Sequence, residues 1–383
     1  MEGKDIIKNL DLNNIPTPCY LVNEEAIRDN CKKLYYIKEK TGCKILLALK
    51  GFAMFSAFSI IREYLDGVCA SSPYEARLGK EEFKKEVHSY APAYSDKDIK
   101  ELIKFSNHII FNSFSQFNKF KDQIPQNISC GIRINPEYSE VETPLYDPCY
   151  EYSRLGVTLE NFKDQDLSGI DGLHFHALCE QNSDSLEHVL SAVETKFGEH
   201  IAKMKWINFG GGHHITRKDY DIEKLCTLIN DFKNKYNVQV ILEPGEAIAL
   251  NTGVLIASVL DIIKNKIDIA ILDTSTAAHM PDVLEMPYIP NIIGADKPDI
   301  LPYNYRLAGL TCLAGDIIGD YSFKEPLKVG NRVIFCDMAH YTMVKNNTFN
   351  GVQLPSIILY NSDTDKIKHI KKFDYLDYKN RLS

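Results

Sequence analysis

From about residue 43 to 246 the chain alternates short apolar, β-prone runs with longer charged stretches whose apolar positions recur at helical spacing. That alternation predicts repeated βα units around a parallel sheet. Eight runs qualify as strands: 44–49, 67–71, 87–91, 108–112, 129–134, 171–176, 206–209 and 238–243, with helices expected over 95–105, 185–197 and 219–236. Eight such units predict an α/β fold, a (β/α)8 TIM barrel, in which the C-terminal strand ends and the loops after them converge on one mouth. After Gly253 the texture changes to valine- and isoleucine-rich segments broken by turns, and Gly330-Asn331 inside 327–335 marks an expected hairpin. The expected division is a barrel over 23–253 and a β-rich domain made of 254–383 together with 1–22, whose Pro16-Thr17-Pro18 leads a short extended arm.

At 383 residues and 44% hydrophobic content the chain can bury one large core and a second. Forty-four Lys and Arg against 52 Asp and Glu leave a net charge of −8, which argues against nucleic acid as a partner. The apolar runs fall short of the ~20 residues a bilayer requires, and Met1-Glu2-Gly3-Lys4-Asp5 is not an apolar leader. No membrane partner is expected, and a cytoplasmic location is. Ten cysteines without CxxC or zinc-finger spacing predict reduced thiols.

Several polar residues fall at the predicted strand ends: Lys50, Glu75, His176, Gly210-Gly211-Gly212 and Glu243. Lys50 directly follows a strand, so its ammonium is expected at the mouth beside low-dielectric walls. Desolvation there lowers a lysine pKa, as a carbonyl-bonding lysine requires. The glycine run offers backbone N–H groups to a phosphate, and Arg154 a charge-assisted bond to the same anion. Glu243 points a carboxylate into the mouth. A pyridine nitrogen about 4 Å from it would gain roughly 4 kcal/mol at an effective dielectric of 20, about three pKa units in favour of the protonated ring. His176 offers a flat imidazole to stack on such a ring, and because strand alternation gives His174 the same face, a metal pair is a further reading. Each feature has an ordinary counterpart: a solvated lysine, a plain glycine turn, a surface arginine, a structural carboxylate.

In combination the chain resembles the fold-type III, pyridoxal-phosphate-dependent basic amino-acid decarboxylases. The likeness runs through Ala48-Leu49-Lys50, Cys69-Ala70-Ser71, Glu75, Ser153-Arg154-Leu155-Gly156, Phe175-His176, Gly210-Gly211-Gly212, Glu243-Pro244-Gly245, Cys312 within 310–316, and Tyr341 ahead of Phe349-Asn350-Gly351. Within 142–149, 279–288 and Glu243-Pro244-Gly245-Glu246 it is most similar to the branch that decarboxylates carboxynorspermidine and carboxyspermidine.

The resemblance implies an alanine-racemase-like barrel with a C-terminal β domain and the cofactor pyridoxal 5'-phosphate bonded to Lys50. Glu243 is expected at the ring nitrogen and His176 on the ring face. Gly211, Gly212, Arg154 and Tyr341 are expected at the phosphate, and Cys312 as the acid that reprotonates the substrate carbon. It further implies a homodimer with shared active sites, a small-molecule polyamine carboxylate as substrate, and no catalytic metal. Two departures bear on specificity: Glu246 stands where ornithine and diaminopimelate decarboxylases carry arginine, and Leu313 where they carry an acid. A carboxylate in place of a cation favours bound ammonium groups, so Glu246, Asp316, Glu285 and Asp282 are the expected amine-binding residues. The rival readings are a diaminopimelate or ornithine/arginine-type decarboxylase of the same fold, and a metal-dependent barrel hydrolase using His174, His176, His213 and Asp273.

Overall fold

All eight expected barrel runs form strands in the computed structural model, which describes residue 7 and residues 10–383. After β1 (Cys19–Asn23), they are β2 (Lys44–Ala48), β3 (Gly67–Ala70), β4 (Glu86–Tyr90), β5 (His108–Phe111), β6 (Ser129–Arg133), β7 (Gly172–His174), β8 (Trp206–Asn208) and β9 (Gln239–Leu242). They pair in parallel, β9 returning to β2, and close the barrel. Every strand ends one or two residues before its apolar run does. Leu49, Ile134, Phe175 and Phe209 lie past the ladder and are nonetheless buried. The loops leaving the C-terminal ends are therefore covered, and their hydrophobicity extends the strand signal beyond the hydrogen bonds.

Leu46, Ile110, Trp206 and Ile241 fill the middle of the barrel. The indole takes its place because Gly131 and Gly172 carry no side chain: a Cβ on Gly172 would sit 2.1 Å from Trp206 Cδ2, and one on Gly131 2.3 Å from Cη2. Trp206 Nε1 donates to Ser129 Oγ at 2.9 Å. Outer helices follow the expected period. In Ile222–Tyr236 the Asp221 side chain accepts from Lys224 N–H, Leu225, Cys226, Ile229 and Phe232 face inward, and Asn237 ends the helix in the left-handed conformation.

The chain divides into Asp29–Ile248, which holds the barrel, and a second unit of Ala249–Ser383 with the residues up to Arg28. The second unit holds β10 (Gly253–Asn265), β11 (Ile267–Leu272), β12 (Ala295–Asp296), β13 (Tyr303–Ala308), β14 (Ile317–Phe323), β15 (Arg332–Cys336), β16 (Ser356–Asn361) and β17 (Lys366–Lys371). With β1 they form a mixed nine-stranded sheet in the order β12-β14-β13-β11-β10-β1-β16-β17, β15 pairing with β10. The extended segment expected after Pro18 docks as a full strand: β1 lies between β10, antiparallel, and β16, parallel, and is fully buried. The residues 1–6, 8 and 9 of the expected arm lie outside the described residues.

A correction concerns Gly330-Asn331, which forms a turn but no hairpin. Asn331 N–H donates to Lys328 C=O and its side chain accepts from Lys328 N–H, yet β15 pairs with β10 and the preceding β14 pairs with β12 and β13. Local turn chemistry fixes a change of direction; which strand is met afterwards is a long-range matter. Among the described residues no helix is long and apolar enough to cross a membrane.

Candidate active site

Tyr90, Arg133, His174 and Asn208 close β4, β6, β7 and β8, while Lys50 and Glu243 stand just beyond β2 and β9. Strand alternation turns these side chains inward, so the C-terminal end of the barrel is lined with polar groups above an apolar middle. Glu243 is 7% exposed; Asn208 Nδ2 donates to its Oε1 at 2.7 Å and His174 Nε2 lies 3.4 Å from Oε2. Burial alone would raise its pKa, but those two neighbours outweigh it and hold the carboxyl down at about 2. Burial keeps His174 neutral, with Glu243 opposing.

Lys50 is exposed, yet it rises inside a ring of protein. Its ammonium is desolvated enough to lower its pKa, with Cys69 and Glu243 opposing that shift and Arg133 adding to it. Glu75 accepts from Ser71 N–H at 2.6 Å in the capped helix that follows β3, and burial raises its pKa against the pull of Lys50. Arg133 is 5% exposed, donates through Nη2 to His176 C=O at 3.2 Å, and lies 4.7 Å from the centre of the Tyr90 ring; its Nε has no partner. A desolvated cation–π contact of this kind is worth up to about 2 kcal/mol.

His176 is held in place by Gly211, whose N–H donates to Nδ1 at 2.9 Å. Burial first, and Lys50 and Arg133 after it, keep the imidazole well below its ordinary pKa. The neutral ring therefore carries its proton on Nε2. The Gly211 amide expected at a phosphate thus has a partner within the protein in His176. The glycine run also has a purely structural cause. A Cβ on Gly210, Gly211 or Gly212 would lie 2.5, 2.4 or 2.0 Å from the carbonyl oxygen of Phe175, Glu243 or Leu178. Gly212 N–H, by contrast, donates to no protein group among the described residues. Arg154 is exposed, and its backbone C=O accepts from Asn112 Nδ2 at 2.8 Å. Asn112 Oδ1 in turn accepts from Gly156 N–H and Tyr90 Oη, which ties the Arg154 loop to the polar ring.

At the margin of the mouth, Glu246 begins the short helix after Glu243, and its Oε1 lies 3.2 Å from His214 Nε2. The turn bearing Lys50 lies against it: Ala48 N–H donates to Pro244 C=O, and a Cβ on Gly51 would be 3.1 Å from Gly245 Cα.

The remaining expected residues belong to the sheet unit. Cys312 is exposed, and its N–H donates to Asn350 Oδ1 at 2.7 Å. Tyr341 sits at φ 49°, ψ −51°, a backbone region that side chains other than glycine rarely occupy. Asp316 is 3% exposed and accepts from the N–H and Oγ1 of both Thr276 and Thr311. Its oxygens build the Cys312 loop, which corrects its assignment as an amine ligand. Asp282 and Glu285 are both ion-paired with Lys345, so they too are compensated within their own unit. Of the four expected amine-binding acids, Glu246 alone lies in the barrel unit.

The sequence reading passed over Arg133, Tyr90, Asn112 and Asn208. Strand alternation could have found Asn208, which shares a face with Gly210; Tyr90 and Arg133 end β4 and β6 and Asn112 follows β5, where no residue had been singled out. His174, His176 and His213 do not converge as a metal group. The clusters of metal-ligating side chains among the described residues are Glu86, His88 and His108, and Glu180, His214 and Glu246.

The barrel-mouth residues fit pyridoxal phosphate. A buried ionised carboxylate suits a protonated ring nitrogen, a neutral imidazole offers a flat face, and an amine of lowered pKa stands beside them. Gly212 N–H and the Arg154 side chain remain for an anion. A family model described as "Pyridoxal-dependent decarboxylase, C-terminal sheet domain" matches residues 19–339. The chain belongs to the pyridoxal-dependent decarboxylases. It is 49% identical to the carboxynorspermidine/carboxyspermidine decarboxylase of Campylobacter jejuni over 95% of this chain and 98% of that one. It is 43% identical to the carboxyaminopropylagmatine decarboxylase of Synechocystis over 99% and 98%. The crystal structure of carboxynorspermidine decarboxylase from Campylobacter jejuni, complexed with norspermidine, superposes with a TM-score of 0.90 at 48% identity, covering 96% of this chain and 100% of that chain.

Proposed function

We propose that this chain removes carbon dioxide from carboxynorspermidine or carboxyspermidine, yielding norspermidine or spermidine in the cytoplasm, with pyridoxal 5'-phosphate bonded to Lys50. The observation that carries the reading is the pairing of a lysine of lowered pKa with a buried, ionised Glu243 at one barrel mouth. The likeness to the Campylobacter jejuni enzyme supports the substrate class. When bound, the cofactor supplies an electron sink for the pair released as the carboxylate carbon departs.

The residues of the chain do the rest. Lys50 presents to a carbonyl carbon an amine whose pKa desolvation lowers. Glu243 holds a proton at the ring nitrogen, and Asn208 and His174 hold Glu243 ionised. His176, oriented by Gly211, presents its face to the ring. Gly212 N–H, Arg154 and Tyr341 serve the phosphate. Cys312 returns a proton to the carbon that lost its carboxylate, a contribution of ~10² to 10⁴ in rate. In this reading Cys312 and Tyr341 act within a homodimer with shared sites, and Glu246 offers its charge to a substrate ammonium.

The test is carbon dioxide release from carboxynorspermidine, carboxyspermidine, carboxyaminopropylagmatine, diaminopimelate and ornithine. The two carboxylated triamines should give the highest kcat/KM; a higher value for any other compound overturns the assignment. Lys50→Ala should cost roughly a thousandfold or more in turnover and abolish the lysine adduct that borohydride traps. Turnover retained in that variant ends the role given to Lys50.

A further inference from the structure

Beside the Lys50 mouth Glu246 belongs to a cluster whose other members, Glu180 and His214, the roles above leave without a task. One carboxylate oxygen each of Glu180 and Glu246 and one nitrogen of His214 lie within 4.8 Å of one another. Glu180 holds a left-handed backbone, φ 55°, in the loop after β7. His214 is 6% exposed, and Arg217 Nη1 lies 3.1 Å from its Nδ1. A guanidinium only donates, so Nδ1 accepts and the proton of the imidazole sits on Nε2. That Nε2 is buried, stands 3.2 Å from Glu246 Oε1, and completes no hydrogen bond. Arg217 is itself fixed by Asp219 Oδ1 at 2.6 Å and Asn182 Oδ1 at 2.7 Å.

Two carboxylates drawn together beside a buried N–H donor suit a cation. The proton assignment decides its kind. A metal ion requires the Nε2 lone pair, which would move the proton to Nδ1 and set it against the Arg217 N–H. An organic ammonium needs only carboxylate acceptors and leaves the tautomer as it is. The cluster also borders the reaction site: the Cys179 thiol, pushed up to about 11 chiefly by burial, is raised further by Glu180 and Glu246 and lowered by Lys50.

We propose that Glu180 and Glu246 form the subsite for an ammonium of the substrate chain remote from the reacting carbon, with Arg217, acting through His214, as the positioning residue for Glu246. The proposal rests on the carboxylated-polyamine reading above and adds to it Glu180 and the Arg217–His214 pair.

The experiment compares the wild-type holoenzyme with Glu180→Gln, Arg217→Met and Arg217→Lys, using carboxynorspermidine turnover and, independently of turnover, norspermidine binding by calorimetry. Loss of one charge-assisted contact should raise KM and the norspermidine Kd roughly tenfold or more in Glu180→Gln while kcat stays within about threefold. Arg217→Met should do the same to a smaller extent, and Arg217→Lys should recover most of the loss. Visible cofactor absorbance and circular dichroism check that each variant is folded and loaded. Unchanged KM and Kd in both Glu180→Gln and Arg217→Met overturn the subsite. So does stoichiometric zinc binding that Glu180→Gln abolishes. Wild-type protein that releases no carbon dioxide from carboxylated polyamines but still loses norspermidine binding in Glu180→Gln overturns the proposed reaction and leaves the subsite standing.

Discussion

The two ends of the barrel interior are built from similar side chains and differ in how their charges are matched. At the N-terminal end, Lys44, Glu86, His108 and Trp206 open β2, β4, β5 and β8. Glu86 accepts from Lys44 Nζ at 2.5 Å and lies 3.1 Å from Nε2 of the fully buried His88, and those contacts hold its carboxyl at about 2. His88 stacks on His108 with ring centres 3.8 Å apart. Cation and carboxylate are paired one to one there, and the His108 ring lies 5.1 Å from that of Trp206 in the layer above. At the C-terminal end Lys50 and Arg133 face a single buried carboxylate, Glu243. Arg133 Nε and both His174 nitrogens lack hydrogen-bond partners. A polar barrel interior is thus not in itself a site. What distinguishes the C-terminal end is that donors such as Arg133 Nε and Gly212 N–H have no protein partner among the described residues, which suits an anion.

That contrast can be broken most directly by removing the buried carboxylate at each end in turn. Glu243→Gln should lower kcat by about 10² to 10³, or ~3–4 kcal/mol, while Glu86→Gln leaves kcat within about twofold; equal losses in steady-state assays would end the distinction. The layer between the two ends is tested by Gly172→Ala, whose new methyl collides with the Trp206 ring. The expected cost is ~1–3 kcal/mol. Because the chain has one tryptophan, intrinsic fluorescence reads both the melting temperature and the repacked indole.

The smallest effect concerns acid stability. Burial first, and His88 second, lower the His108 pKa to about 3. Between an unfolded value of ~6.5 and that folded value, the unfolded chain binds the extra proton, so stability falls with pH by at most about 1.4 kcal/mol per unit. His108→Gln should flatten the melting curve against pH between roughly 6.5 and 4; an unaltered slope would show that His108 does not titrate as a buried base.

Much of this architecture was legible in the chain. The eight strands were visible because each is short, apolar and set off by charged helices, and Lys50, His176 and Glu243 were visible because charge directly follows an apolar run. Arg133 escaped notice although it too ends a strand, since one cation inside 129–134 reads as an interruption until its face is known. Gly211 and Asp316 were assigned to ligands from motif position alone. Their hydrogen bonds, to His176 in one case and to Thr276 and Thr311 in the other, join residues 35 or more apart at three of these contacts, which no local pattern carries.

By itself, then, the order of amino acids determined the periodicities, the caps and the side chains that arrive at one barrel rim, because these depend on neighbours a few positions away and on a strand's two alternating faces. Only the tertiary structure decided which polar groups pair with one another and which are left with capacity for a ligand. Hydrogen-bond partnership and desolvation are set by approach in space. Glu86 and Glu243, each a carboxylate at a strand end, are told apart by the Lys44 ammonium that meets the first and the uncharged Asn208 and His174 that surround the second.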